Sequence, residues 1–99
     1  MEIKTREENG TLIIELEGRL DTVTSKELLA AFDKEEKKEQ LVIVDMKDLE
    51  YISSAGLRAL LAMKKELVAN KKQLEIHNLN SICLEVFRVT GFQNVLTIK

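Results

Sequence analysis

Apolar and polar positions alternate from Thr11 to Glu17, with Leu12, Ile14 and Leu16 on one side and Ile13, Glu15 and Glu17 on the other. That period of two predicts a strand with one buried and one mostly wet face. Ile3 and Thr5 ahead of it suit a short edge strand, and Asn9-Gly10 between the two runs is the dipeptide of a two-residue hairpin. Gly18 closes the strand, and Arg19 to Val23 reads as a loop. Thr24 with Glu27 three residues later has the spacing of a capping box, which predicts a helix from that point. Leu28, Leu29 and Phe32 follow at helical spacing. The run 33–39 is almost wholly charged and is expected to be an exposed last turn and loop.

Leu41-Val42-Ile43-Val44 is a continuous apolar run ending at Asp45, as expected of a central strand buried on both faces. Met46 to Ile52 reads as a connection, and Ser53-Ser54 opens a helix carrying Leu57, Leu60, Leu61, Leu67 and Val68 as far as Asn70. Leu74 and Ile76 alternate with Glu75 and His77 in a further strand. Asn80-Ser81 caps a third helix bearing Ile82, Cys83, Val86, Phe87 and Val89, and Gly91 is its left-handed stop. Val95 to Ile98 forms a last short strand. The order is β-β-α-β-α-β-α-β. Right-handed crossovers put successive helices on one side, while Glu15, Glu17, Glu75 and His77 keep the other side open to solvent. The expected fold is α/β, a mixed sheet of about five strands with helices mainly on one face.

Ninety-nine residues with 44% hydrophobic and 32% charged side chains have the length and balance of one globular domain, taken as 1–99. The net charge of −2, with four aromatic residues and no Trp, argues against a nucleic-acid partner. No apolar run approaches the ~18 residues of a membrane span, so no membrane insertion is expected. The first residues lack an apolar signal core, and Cys83 stands alone, which excludes an intramolecular disulfide and fits a reducing cytoplasm. One His and one Cys do not make a metal cluster, and no cofactor is expected. Gly10, Gly18, Gly56 and Gly91 are too far apart for a phosphate-binding loop. Ser54 is not in a Gly-x-Ser-x-Gly elbow, because Ile52 holds the first Gly position, and a triad would have to recruit the strand residue His77. An enzyme is not expected.

The unusual stretch is Tyr51-Ile-Ser-Ser-Ala-Gly-Leu57. One serine at a helix start is explained as an N-cap. A second is not, and the small Ala55 and Gly56 behind it suggest a spot left open to a partner. The run VIVDMKDLEYISSAGLRALL resembles the central segment of STAS domains, in particular of bacterial anti-sigma-factor antagonists. Gly18-Arg-Leu-Asp21 and Val89-Thr-Gly-Phe92 resemble two further stretches of that family, in the same order, so the resemblance spans nearly the whole chain. It implies a regulatory phosphoacceptor at Ser54, with Ser53 as the alternative because many members have Asp there. It implies partner contacts at Asp21, Thr22, Ser53, Ser54, Ala55 and Gly56. The implied role is to bind an anti-sigma factor of the serine-kinase type, freeing a sigma factor until phosphorylation silences the antagonist. A serine phosphatase is the implied counterpart. The alternatives under the same resemblance are a subunit of a lipid-transport ABC complex and a component of a signalling scaffold.

Overall fold

A computed structural model describes residues 1–35 and 39–99. Five strands form one sheet in the order β1-β2-β3-β4-β5. β1 (Glu2–Glu8) and β2 (Thr11–Leu20) are antiparallel, joined at Asn9 and Gly10. Both turn residues have positive φ, 51° and 77°, as a type I′ hairpin requires. β3 (Leu41–Ile52), β4 (Gln73–His77) and β5 (Thr97–Ile98) then add in parallel. The crossovers are α1 (Thr22–Lys34), α2 (Ser54–Ala69) and α3 (Ser81–Thr90), the last followed by a 3₁₀ turn, Phe92–Asn94.

The mixed α/β sheet matches the expected class, and the core lies on one face. Leu12, Ile14, Val42, Val44, Leu74 and Ile76 from the strands are buried with Leu28 and Phe32 of α1, Leu57, Leu60 and Met63 of α2, and Cys83 and Phe87 of α3. On the opposite face Glu15, Glu75 and His77 are half-buried by strand neighbours, not by helices: Arg6 pairs with Glu15, and His77 Nε2 lies 2.9 Å from Glu75 Oε1.

Four expectations need correction. β2 does not stop at Gly18. It continues to Leu20, and Gly18 adopts φ 111° beside a register shift. α1 begins at Thr22 with Asp21 as its N-cap, so the loop 19–23 and the start at Thr24 give way to a continuous strand-to-helix corner. The stretch 46–52 is not a connection but the second half of β3, and Leu41 and Ile43 of the first half are only half-buried, so β3 is central without being covered on both faces. Finally, Asp33 and Lys34 are exposed as expected, but Glu39 is 6% exposed, lining a cleft of mixed charge with Arg6, Glu7, Lys34 and Glu35. Residues 36–38 of that charged run lie outside the described residues.

β3 outlasts β4: its last pairing with β4 is Asp45 with His77, and from there it follows β2 alone. Two irregularities each insert one extra β3 residue, between Asp45 and Asp48 and between Leu49 and Tyr51. The buried positions therefore become Met46, Leu49 and Ile52, three apart instead of two. The bulged pair β2–β3 delivers Leu20 beside Ile52, and with them the starts of α1 and α2.

Candidate functional site

The two helix starts are joined by one backbone bond, from Ser53 N–H to the Leu20 carbonyl at 2.9 Å. At α1, Asp21 Oδ1 accepts from Val23 N–H and Thr24 N–H, each at 3.0 Å. Thr24 Oγ1 accepts in return from Asp21 N–H at 2.8 Å and donates to the Arg19 carbonyl at 2.7 Å. This is a reciprocal capping box. The Thr24 N–H first, helped by its hydroxyl, the Val23 N–H and the charge of Arg19, holds the Asp21 carboxyl below its ordinary value, against a smaller opposing effect of desolvation. Ser25, buried behind the cap, donates its hydroxyl to the Asp21 carbonyl.

At α2, Ser53 is the N-cap: its hydroxyl oxygen accepts from Gly56 N–H at 3.3 Å, and its carbonyl takes the Leu57 N–H at 3.0 Å. Ser54 is the first helical residue, exposed, and its hydroxyl is not needed for the cap. The serine pair is thereby divided: one closes the helix and the other faces solvent. Thr22 holds the matching exposed position at the start of α1. Ala55 is half-buried.

Gly56 departs from the expected open spot. It is buried, and a Cβ there would lie 2.8 Å from Ile52 Cγ1 and 2.9 Å from Leu20 Cγ. The missing side chain lets α2 close onto the strand ends, so Gly56 shapes the site from beneath and is not part of its surface. Asp45, where the apolar run of β3 ends, is also remote from the serines. Its carboxylate accepts from Lys47 N–H at 3.0 Å and Asn78 Nδ2 at 3.1 Å on the open face.

The surface has a member that sequence reasoning missed. Arg19 and Tyr51 are register partners on β2 and β3, and the guanidinium lies 4.5 Å from the ring centroid. Leu20 and Ile52 point into the core, so this cation–π pair sits on the opposite side of the strands, each member two residues before a helix N-cap. Its signal was positional: two neighbours of buried residues in adjacent motifs.

The groups that a nucleophilic centre would need are not brought together. His77 is level with Asp45, and the seven further residues of β3 to Ile52 span roughly 20 Å. Cys83 is buried, which pushes its thiol up from the ordinary value. Among the described residues no three His, Cys, Asp or Glu side chains are grouped to hold a metal ion, and no helix is long and apolar enough to cross a membrane.

The corner formed by Gly18 to Asp21 and by Tyr51 to Leu57 is the region the family resemblance pointed to, and the family model for the STAS domain matches residues 2–99. The chain belongs to the STAS domain family. It is 33% identical over 91 residues to a Bordetella bronchiseptica protein provisionally named anti-sigma factor antagonist BtrV, covering 91% of this chain and 78% of that protein. An anti-sigma factor antagonist from Mycobacterium paratuberculosis superposes with a TM-score of 0.86 at 17% identity, over 98% of this chain and 83% of the other. The anti-sigma factor antagonist SpoIIAA in its unphosphorylated form gives 0.83 at 19% identity, over 99% and 88%. The Bacillus SpoIIAA structure in the phosphorylated form gives 0.74 at 19% identity, over 99% and 91%. At such identities these superpositions establish the fold.

Proposed function

We propose that this chain is an anti-sigma factor antagonist that docks through the joined starts of α1 and α2, and that phosphate on Ser54 ends the docking. The observation that carries the reading is the division of the serine pair: Ser53 caps α2 while Ser54 stands exposed beside it. A modifying enzyme reaches Ser54 without undoing the helix. The partner is an anti-sigma factor that is itself a serine kinase, and a serine phosphatase resets the switch. Sequence similarity to a relative named as an antagonist supports this choice over a transporter subunit or a scaffold. The chain contributes a surface and a phosphoacceptor, without catalysis of its own, in the cytoplasm.

The electrostatics suit such a switch. A phosphate adds about −1.5 to −2 charges. At the first residue of a helix it meets free N–H groups and the positive end of the helix dipole, so the fold tolerates it. What changes is the surface: a bulky dianion now sits where a partner must approach, on the same face as Asp21. The test is to incubate the protein, Ser54→Ala and Ser53→Ala with ATP and the anti-sigma factor encoded in the same genome. Phosphate should map to Ser54, the modified protein should lose binding, and Ser54→Ala should bind and stay unmodified. Phosphate on Ser53 moves the acceptor by one residue. Tight binding by fully phosphorylated protein sinks the reading.

A further inference from the structure

The far half of α2 carries a second surface. Its outer side and the turn after α3 enclose a shallow groove of about 330 Å³ lined by Leu61, Lys64, Lys65, Val68, Ala69 and Val95. Val68 is 56% exposed and Val95 41%, an apolar floor left to water. The groove is held in shape: Lys64 donates to the Val95 carbonyl, Val95 N–H donates to Phe92 O at 3.0 Å, and Leu96 is buried next to them. A preformed wall of this kind lowers the ordering cost of binding.

The charge around that floor has one sign. Among the described residues no carboxylate lines the groove, and no ion pair engages Lys64 or Lys65. An adjoining depression shares Lys64 and Val68, adds Lys72, and meets its first carboxylate only at Glu75. In a chain of net charge −2 this is a local cationic rim around apolar side chains. We infer that the groove docks a short amphipathic helix of a partner protein, two to three turns long, whose apolar face is flanked by carboxylates. Apolar anchors would fill the floor at Val68 and Val95, and the flanking carboxylates would meet the lysines, the helix-in-groove mode with electrostatic register. A bilayer fits less well, because the apolar residues line a hollow instead of protruding, and two or three lysines attract a membrane weakly.

Leu61, the lining residue nearest to Ser54, is seven residues farther along α2, roughly 10 Å. The groove begins beyond the proposed docking corner, and the inference does not rest on that reading. The test uses the isotope-labelled 99-residue chain and two fluorescent 14-residue helix-forming peptides. Both carry Leu at positions i, i+3, i+4 and i+7; one has Glu on the flanks and the other Lys. The Glu peptide should bind and shift the amide signals of 61–69 and Val95, and the Lys peptide should bind at least about tenfold more weakly. Val68→Asp and Lys65→Glu alter exposed side chains, so both should fold, as a thermal melt will check, and each should weaken the Glu peptide by a similar factor. Ser54→Asp should leave its binding unchanged. Equal binding of both peptides, binding of neither, or signal shifts elsewhere on the surface overturns the inference. So does concentration-dependent self-association through these residues, or binding to phosphatidylserine vesicles that Val68→Asp abolishes.

Discussion

The amide of Ser53 donates to the carbonyl of Leu20 at 2.9 Å, which makes the starts of α1 and α2 one structural unit. Each of the two bonded residues adjoins or is an N-cap: Asp21 follows Leu20, and Ser53 caps α2 itself. The side chains of Leu20 and Ile52 lie beneath, both fully buried. Nothing in this corner relies on a long loop, so its exposed residues Thr22 and Ser54 are presented on a rigid frame. Rigid presentation suits recognition, because little freedom is left to lose on binding.

The close approach at Gly56 gives the first prediction. In a helix, Gly→Ala ordinarily gains about 0.5–1 kcal/mol. Here the new Cβ meets the Ile52 Cγ1 methylene at 2.8 Å and the Leu20 Cγ branch carbon at 2.9 Å, both in fully buried side chains with no room to swing away. Overpacking of this kind costs about 1–3 kcal/mol, so Gly56→Ala should be a net destabilisation of about 1–2 kcal/mol. Urea unfolding of the variant would show a lower midpoint with an unchanged slope. A raised midpoint would mean that α2 is free to move off the strand ends.

Asp21 yields a pH signature. Its folded-state pKa is lowered from 3.8, chiefly by the Thr24 N–H. The ionised carboxylate therefore favours the folded chain, fully above the unfolded value and progressively less as pH falls through the folded one. Asp21→Asn keeps a capping oxygen but cannot ionise. The melting temperature of the wild type minus that of the variant should be largest near neutral pH and shrink below 3.8. A difference independent of pH would show that the charge on the cap is immaterial.

These two residues also show what the sequence could and could not disclose. Local punctuation was legible where one residue decides the outcome: the Asn9-Gly10 turn, the Asn80 cap and the left-handed Gly91 all stand as read. At α1 two capping patterns overlap, Asp21 with Thr24 and Thr24 with Glu27, and the choice fell to how far β2 runs, a matter of sheet pairing. The second half of β3 escaped because its two bulges space the buried residues by three, which no strand template anticipates. Gly56 was read as open space, since a small residue signals either an exposed gap or a tight contact, and only the partner across it decides. On α3 two adjacent apolar stripes competed. Cys83 and Phe87 took the core, leaving Ile82 62% and Val89 69% exposed. The serine pair was legible as a motif, but the different duties of its two members depend on where α2 starts.

The Arg19–Tyr51 pair should be measurable as a coupling. Cation–π contacts at exposed positions contribute about 0.5–1 kcal/mol. A double-mutant cycle with Arg19→Gln and Tyr51→Leu, followed by urea unfolding, should return a coupling energy in that range. Additive effects would show that the two side chains are merely adjacent.

The last prediction separates the two serines by what each loses. Ser53 supplies the cap oxygen for Gly56 N–H, so Ser53→Ala leaves that donor without its partner and should cost about 0.5–2 kcal/mol. Ser54 caps nothing and is exposed, and Ala is the better helix former, so Ser54→Ala should be neutral to slightly stabilising. Ser54→Asp places a carboxylate at the positive end of α2 and should gain about 0.3–1 kcal/mol at low salt, less at high salt. Loss of partner binding by Ser54→Asp, in a protein as stable as the wild type or more so, could not then be ascribed to unfolding. Ser53→Ala, by contrast, should weaken binding only in proportion to its lost stability. Melting curves and binding titrations on the same three variants decide the matter. If Ser54→Ala destabilises more than Ser53→Ala, the capping duty belongs to the other serine, and the exposed hydroxyl on which the switch depends is not there.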